Sequence, residues 1–223
     1  GALLDTPVST IYRYLRTLTE FGFVDRHGAG YRLGPRLVIG SGGVVSAEAL
    51  IRAADPVLRL LAEETGETAV IARRIGTSAI CLHEVPSAEP LRVTIAPTTV
   101  LPLAGGALGK ALLAFAPDDV VAAVLGVEPK GGGPAAIDAE HLRAELADVV
   151  TSGLARSVGE VVSDTVAIAA PILRDDGIIA AIGVVGPEAR CGLAWRRRAA
   201  RLLPGAAAAV VAALGESPGS ITA

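Results

Sequence analysis

Two β-hairpin patterns, far apart in the chain, constrain the fold of this sequence more than any other feature. Each has two apolar runs on either side of a short turn: residues 68–73 and 79–85 around Gly76, and residues 166–173 and 178–185 around Gly177. Apolar runs joined by a glycine-containing turn predict antiparallel neighbours. Shorter runs at 91–95 and 154–160 predict two more strands. We therefore expect an antiparallel sheet of about six strands.

Helical patterns fill much of the remaining sequence around these strands. The clearest runs from Ala47 to Thr65 with Leu50, Leu58 and Leu61 on one stripe, and Gly66 is a candidate C-terminal cap. Further helices are predicted at residues 105–116, 117–125, 138–152 and 188–214. Helices that pack on an antiparallel sheet make an α+β fold rather than a doubly wound one.

The first 34 residues show a different pattern, an amphipathic helix followed directly by a short hairpin. Thr6 is a candidate N-cap before Pro7, and Ile11, Leu15 and Leu18 form an apolar stripe. Residues 23–34 then predict two strands around a glycine-rich turn. This order is typical of the end of a winged helix-turn-helix, whose first helices would lie upstream. Since the chain contains no Met, we expect residue 1 to be internal to a longer protein.

The charge is divided unevenly along the chain. The formal net charge is −3, yet residues 1–40 hold five Arg against three acids, a balance of +2 that leaves −5 for the rest. A basic head on an acidic body favours nucleic-acid binding by the head. Arginine can contact guanine in the major groove, and hairpin arginines suit the backbone or the minor groove. The candidate DNA-binding residues are Ser9, Thr10, Tyr12, Arg13, Arg16, Arg26 and Arg32. An ordinary solvent-exposed helix is the alternative.

Catalytic and metal-binding chemistry finds little support in the sequence. Residues 104–111 are superficially similar to a phosphate-binding loop but have Ala104 and Ala111 where the first Gly and the Mg²⁺-binding Ser or Thr belong. What remains is a glycine-rich helix start that holds a small carboxylate, or a purely structural turn. The histidines and cysteines are scattered along the chain, at His27, His83, His141, Cys81 and Cys191. We therefore expect no metal site, no cofactor and no catalytic residue.

Two further features bear on the surroundings in which the protein works. Two cysteines are too few to cross-link a chain of 223 residues, which favours a reducing cytoplasm. Uninterrupted apolar stretches such as 206–214 are far shorter than the roughly 20 residues of a membrane span, so no membrane partner is expected. Arg196, Arg197, Arg198 and Arg201 are interpreted as a solvated helix face, with a phosphate-binding patch as the alternative.

At this point the sequence resembles the IclR-type bacterial transcription regulators. The N-terminal part is similar to that family's recognition helix and wing in TPVSTIYRYLRTL (6–18), GFV (22–24) and GYRLG (30–34). The rest agrees in ETGET (64–68), PLRV (90–93), LPL (101–103), ALGKALLA (107–114), GE (159–160), AIAAPI (167–172) and GP (186–187). The match is specific because these blocks occur in order over nearly the whole chain.

The resemblance implies a domain organisation and a ligand site. It implies a truncated winged helix-turn-helix at residues 1–34, a dimerising linker helix at 35–66 and a GAF-like effector-binding domain at 67–223. Homodimers or dimers of dimers that bind operator DNA are implied, with a small organic or aromatic acid as effector and a catabolic operon as target. The implied pocket residues are Leu91, Leu101, Ala107, Leu108, Ser157, Thr165, Ala167, Gly183 and Val185.

Two positions depart from the family pattern. Val8 stands where many relatives have Lys, which removes one phosphate contact. Gly183 and Val185 stand where acid-sensing relatives have polar residues, which leaves Ser157 as the main polar group. We therefore expect an effector larger or less polar than a two- or three-carbon keto acid, such as an aromatic acid. Two alternatives remain: a sensor domain that acts through protein partners without DNA binding, and, less favoured, an enzyme that uses the Lys110 loop.

Overall fold

The computed structural model describes residues 8–20, 24–27, 30–33, 45–126, 138–174 and 177–215. The chain divides into two units, Gly1–Val44 and Val45–Ala223. We call them the N-terminal unit and the C-terminal unit and describe each separately.

The described part of the N-terminal unit contains the predicted helix and hairpin. Helix α1 is Val8–Glu20, and strands β1 (Val24–His27) and β2 (Gly30–Leu33) pair antiparallel with Val24 opposite Leu33. On α1, Ile11 and Leu15 are partly buried, whereas Tyr12 is 61% exposed. The capping residues predicted for this helix, Thr6 and Pro7, lie outside the described residues.

The C-terminal unit is built on a six-stranded antiparallel sheet, as predicted. The sheet order is β5-β4-β3-β8-β7-β6. The elements in chain order are α2 (Ala47–Thr65), β3 (Thr68–Ile75), β4 (Ser78–Val85), β5 (Val100–Pro102), α3 (Ala107–Leu113), α4 (Asp118–Leu125), α5 (Ala139–Ser152), β6 (Ala155–Val158), β7 (Thr165–Arg174), β8 (Gly177–Pro187) and α6 (Leu193–Gly215).

Both predicted hairpins are confirmed, and they meet at the centre of the sheet. Strand β3 pairs with β4 in one hairpin and β7 with β8 in the other, and β3 and β8 then pair with each other, placing Val70 opposite Gly183. Gly66 ends α2 as predicted, since its φ of 72° lies in the left-handed region and its N–H donates to the carbonyl oxygen of Ala62 at 2.8 Å.

The prediction of a strand at residues 91–95 is wrong. That segment has no regular secondary structure, and the sixth strand is β5 instead. Side chains satisfy its backbone in place of a β-ladder: the Thr68 hydroxyl donates to the Val93 carbonyl oxygen at 2.5 Å, and the Ile95 N–H donates to the Glu84 carboxylate at 2.7 Å. An apolar run that finds such partners has no need of a neighbouring strand.

The sheet separates two helical layers because alternate residues of a strand point to opposite faces. On one face, Ile71, Ile168 and Ile182 lie in a cluster with residues of α2 and α6, including Leu58 and Leu203. We call this the filled face. On the other, here the cavity face, Val70, Ala169 and Val185 lie in a cluster with residues of α3 and α5, including Leu108, Leu112 and Leu146. Both faces are covered, which explains the continuous apolar runs in β7 and β8.

Helix α6 is both long and apolar. Over the described part of the chain, it is the one helix long and apolar enough to cross a membrane by length and composition, with a mean hydropathy of 1.3. Its buried residues Ala199, Leu203 and Val210 belong to the cluster on the filled face of the sheet. Since 28% of its apolar window is buried, α6 packs on the sheet along one side.

Candidate functional site

A cavity of about 240 Å³ opens on the cavity face of the sheet. Its floor is formed by strands β3, β7 and β8, one wall by the residues that lead into α3, and its rim by segments 93–101 and 161–165. The lining residues are Val70, Val93, Thr94, Ile95, Thr99, Val100, Leu101, Gly105, Gly106, Ala107, Leu108, Gly109, Ser157, Val161, Val162, Thr165, Ala167, Ile168, Gly183, Val184 and Val185.

Small residues on two neighbouring strands leave room for this cavity. Ala167 of β7 and Gly183 of β8 lie on the floor, beside Val185. A Cβ atom at Gly183 would lie 2.8 Å from the Ile168 carbonyl oxygen and 3.2 Å from Leu108 Cδ2. A side chain at this position would therefore clash with the backbone of β7 and crowd the Leu108 side chain, as well as take space from the cavity.

Apolar side chains form part of the cavity rim. Val161 and Val162 are 47% and 57% exposed, and Val100 is 64% exposed on the segment that faces the solvent. A Cβ atom at Gly106 would lie 3.0 Å from Val161 Cγ2, so the loop carrying Val161 approaches the turn before α3 closely. Exposed valines around an apolar cavity are groups that a bound ligand can cover.

The cavity-lining residues that carry hydroxyl groups are Thr94, Thr99, Ser157 and Thr165. Ser157 Oγ accepts a hydrogen bond from the Ala107 N–H at 3.2 Å and keeps its own proton for another acceptor. Thr165 Oγ1 donates to the Val162 carbonyl oxygen at 2.6 Å. Ser157 can therefore donate a hydrogen bond to a ligand, whereas the proton of Thr165 is already engaged.

A buried ion cluster lies behind the turn that forms one wall. Lys110 is 1% exposed, and its Nζ contacts Glu145 Oε1 at 2.8 Å and Glu160 Oε1 at 2.7 Å. The other oxygen of Glu160 accepts a hydrogen bond from the Gly106 N–H at 2.9 Å. Glu160 thus connects the loop after β6 to the Gly106 N–H and to the Lys110 side chain, at the start of α3 and one turn into it. A buried ammonium group needs such partners because an unpaired charge is costly away from water.

Sequence reasoning missed this cluster, although one signal was present. Lys110 is the one charged residue within the apolar α3, and a lysine in that setting is buried with partners or exposed at a helix end. Its partners are 35 and 50 residues away in the chain, so the sequence does not identify them. The expected carboxylate-binding helix start is already engaged at Gly106 and Ala107 by Glu160 and Ser157.

The structure brings most of the expected pocket residues together around the cavity. Those that line it are Leu101, Ala107, Leu108, Ser157, Thr165, Ala167, Gly183 and Val185. Leu91 does not line it: its side chain is 73% exposed, and its carbonyl oxygen accepts a hydrogen bond from Arg190 at 2.8 Å. The same arginine pairs with the buried Glu67, so Leu91 contributes to a contact outside the cavity.

The cysteines and histidines do not form a reactive site in the described residues. Burial raises the pKa of the Cys81 and Cys191 thiols to about 12, so both stay protonated at neutral pH. His83 Nε2 contacts Asp55 Oδ1 at 2.9 Å, which links β4 to α2 on the filled face. Within the described ranges, no group of three or more His, Cys, Asp or Glu side chains could hold a metal ion.

Helix α1 presents the expected DNA-binding side chains of its middle turns to solvent. Tyr12, Arg13 and Arg16 are exposed, Thr10 is partly buried, and the Arg13 guanidinium lies 5.9 Å from the centre of the Tyr14 ring. The backbone of Ser9 lies in α1, that of Arg26 in β1 and that of Arg32 in β2, while their side chains lie outside the described set. Between Val8 and Thr19 the helix carries no acidic residue.

The arginines of α6 are partly engaged within the C-terminal unit. Arg196 Nε donates to the Cys191 carbonyl oxygen at 2.9 Å, and Arg198 donates to the Glu64 carbonyl oxygen at 2.9 Å. Arg197 and Arg201 are exposed. Contacts with backbone carbonyls near the start of α6 fit the interpretation as a solvated helix face.

This chain matches a family model and is similar to a known bacterial protein. The family model "Bacterial transcriptional regulator IclR C-terminal" matches residues 42–212. The HTH-type transcriptional regulator KipR of Bacillus subtilis is 31% identical over 195 residues, which cover 85% of this chain and 77% of that protein.

Solved structures agree with that match. A crystal structure from Silicibacter sp. TM1040, described as an IclR transcriptional regulator, is similar with a TM-score of 0.73 and 28% identity, over 98% of this chain and 88% of that one. A second, of an IclR homolog complexed with 4-hydroxybenzoate from Microbacterium hydrocarbonoxydans, has a TM-score of 0.70 and 25% identity, over 95% of this chain and 87% of that one.

Proposed function

The chain belongs to the IclR family of bacterial transcriptional regulators, and we propose how it divides that role between its two units. Helix α1 and the β1–β2 hairpin bind operator DNA, and the cavity of the C-terminal unit binds the effector. This proposal assigns the cavity-lining residues to the ligand and the following residues to DNA: Ser9, Thr10, Tyr12, Arg13, Arg16, Arg26 and Arg32. The protein acts in the cytoplasm, where operator DNA is accessible.

The surface of α1 supports the DNA-binding half of this proposal. Arg13 and Arg16 lie one turn apart on the exposed side, with Tyr12 beside them and no carboxylate before Glu20. A positively charged helix face attracts the phosphate backbone, and arginine side chains can also hydrogen-bond guanine in the major groove. Exposed tyrosine hydroxyl groups suit phosphate contacts.

The cavity supports the effector-binding half. Its volume of about 240 Å³ exceeds the roughly 150 Å³ in which an apolar protein cavity holds a benzene ring. The relative from Microbacterium hydrocarbonoxydans was solved with 4-hydroxybenzoate, a compound of one ring. We therefore assign to this chain an organic effector larger than a two- or three-carbon keto acid. From the family membership we also propose a catabolic operon as the target.

Effector and operator act on one equilibrium in this proposal. The domains are residues 1–34 for DNA, 35–66 for dimerisation and 67–223 for the effector, and the working form is a homodimer or a dimer of dimers. A ligand changes operator affinity only if it binds one arrangement of the two DNA-binding heads more tightly than another. Exposed apolar residues on α2, such as Leu60 at 58% exposure, are available for contacts between subunits.

The DNA-binding assignment is tested by Arg13→Ala in a gel-shift titration. The DNA is the intergenic region next to the gene, and the salt concentration is held constant. We expect operator affinity to fall by about 1–3 kcal/mol if Arg13 contacts a base, and the salt dependence to become shallower by about one ion if it contacts a phosphate. Arg197→Ala, which removes an exposed arginine from α6, is the control and should leave affinity unchanged.

Unchanged operator affinity in the Arg13→Ala and Arg16→Ala variants would remove α1 from the DNA interface. If the wild-type protein also retained no DNA fragment from that region, the alternative of a sensor acting through protein partners would take its place. Binding of a small molecule to the C-terminal unit would be unaffected by either result.

A further inference from the structure

We infer that the cavity selects uncharged, ring-sized ligands over anions, and that the Glu160 carboxylate sets this preference. The inference rests on the proposed role of the cavity as the effector site. It narrows the ligand class from an organic effector to a neutral aromatic or similarly apolar molecule.

The first observation is the chemistry of the cavity wall. Among its lining residues in the described part of the chain there is no Asp, Glu, His, Lys or Arg. A carboxylate that enters an apolar cavity loses its hydration, and that loss is large unless a cation or several N–H donors replace the water. No lining side chain supplies a cation here.

The second observation concerns three backbone N–H groups of the cavity-lining residues, since N–H groups can also bind an anion. Gly106 donates to Glu160 Oε2 at 2.9 Å, and Ile95 donates to Glu84 Oε2 at 2.7 Å. Ala107 donates to Ser157 Oγ at 3.2 Å. Two of these three donors are therefore paired with carboxylates of the protein itself, and a ligand carboxylate would have to displace them.

The third observation is the charge behind the wall. Lys110 lies between Glu145 and Glu160, so the formal charge of the cluster is −1. Lys110 is 1% exposed, and its Nζ contacts two carboxylates, which compensate its charge. An anion at the Gly105–Gly106 turn would lie near Glu160, whose Oε2 accepts from the Gly106 N–H at 2.9 Å, and like charges in a site of low dielectric repel strongly.

A neutral aromatic molecule meets none of these obstacles. Its ring fits a cavity of about 240 Å³ that is lined mostly by aliphatic residues and glycine, with a few hydroxyl-bearing residues. Burial of the ring against these side chains supplies affinity. A single hydrogen bond with the Ser157 hydroxyl orients a phenol, amide or carbonyl group without any charge.

Calorimetric titration of the protein with matched pairs tests this inference. Each pair has the same skeleton with an amide or a carboxylate: benzamide and benzoate, 4-hydroxybenzamide and 4-hydroxybenzoate, cinnamamide and cinnamate. At pH 7.5 the tightest-binding amide should bind at least about tenfold more tightly than its carboxylate, because the carboxylate is desolvated beside Glu160.

Variants assign the preference to Glu160. Glu160→Gln should reduce the amide-to-carboxylate ratio at least about threefold by removing the repelling charge. Glu160→Asp, which keeps the negative charge, should retain the preference. Glu63→Gln makes the same formal change at an exposed position of α2 and should leave the ratio at its wild-type value.

Three outcomes would overturn the inference. Carboxylates that bind as tightly as their amides, or more tightly, would refute the selection of neutral ligands while leaving the cavity as the effector site. An equal loss of preference in Glu63→Gln and Glu160→Gln would remove Glu160 as its cause. Binding of no member of the panel would overturn the inference together with the effector-binding half of the proposed function.

Discussion

The two faces of the central sheet are built from alternate residues of the same strands, yet one is filled and the other holds a cavity. On β7, Ile168 and Ala170 point to the filled face, whereas Ala167 and Ala169 point to the cavity face. On β8, Ile182 faces the filled side and Gly183 the cavity side. The difference between a core and a binding site therefore lies in residue volume at neighbouring positions.

The polar groups follow the same division. On the filled side, the contact between Asp55 and His83 joins side chains that are 33% and 27% exposed. On the cavity side, a lysine that is 1% exposed sits with two carboxylates directly behind the wall. The filled face thus stabilises the unit by apolar burial. On the cavity face, part of the volume is left open and polar groups hold the wall of the cavity in place.

The largest expected effect is a difference in the free energy of unfolding between variants of the two faces. Leu58→Ala on the filled face should lower the free energy of unfolding by about 2–5 kcal/mol, because Leu58 is fully buried among large side chains. Leu101→Ala, the same change in a half-buried residue of the cavity wall, should cost roughly half of that or less. Urea unfolding of both variants provides the measurement. Equal losses would show that the two faces are packed alike.

A second comparison uses one substitution on both faces of β7. Ala170→Leu adds volume to the filled face and should lower the free energy of unfolding by about 1–3 kcal/mol through overpacking. Ala167→Leu adds the same volume to the cavity and should leave stability near the wild-type value while lowering ligand affinity at least about tenfold. Urea unfolding and calorimetry with the tightest amide measure the two effects. A stable Ala170→Leu variant or full binding by Ala167→Leu would contradict the account.

The smallest expected effect concerns acid stability at the edge of the filled face. Hydrogen bonds from Arg59 and then His83 lower the pKa of Asp55 below its ordinary 3.8. The folded state therefore gains stability from this carboxylate above pH 3.8 and loses it as the pH falls through the lowered pKa. Asp55→Asn should be slightly less stable than wild type at pH 7, and the two should converge at the acid end.

Urea midpoints measured between pH 2.5 and pH 7 check this prediction. Asp148→Asn, a matched change on the exposed side of α5, should follow the wild-type curve throughout. A constant difference between Asp55→Asn and wild type over the whole range would mean that the contacts with Arg59 and His83 do not stabilise the fold.

The sequence allowed the sheet and most helices to be predicted because those patterns are local. The two hairpins have apolar runs on both sides of a short turn, and Gly66 marks a helix end through its conformational freedom. The segment at 91–95 was predicted wrongly as a strand because its partners, Thr68 and Glu84, are side chains distant in the sequence. Local apolar character does not reveal which groups will satisfy a backbone.

The residues of the candidate site could be predicted from the sequence only in part. Resemblance to the IclR family supplied eight residues that line the cavity, but it also supplied Leu91, whose side chain lies in solvent. The Lys110 cluster could not be predicted, since its carboxylates come from α5 and from the loop after β6. Charge pairing between distant segments depends on the complete fold.

The most direct test of the account measures operator affinity with and without the tightest-binding amide, in the wild-type protein and in Ala167→Leu. If the cavity is the effector site, saturating ligand should change the operator affinity of the wild type by about fivefold or more and leave that of Ala167→Leu unchanged. The same change in both proteins, or no change in a wild type that calorimetry shows to be saturated, would contradict it.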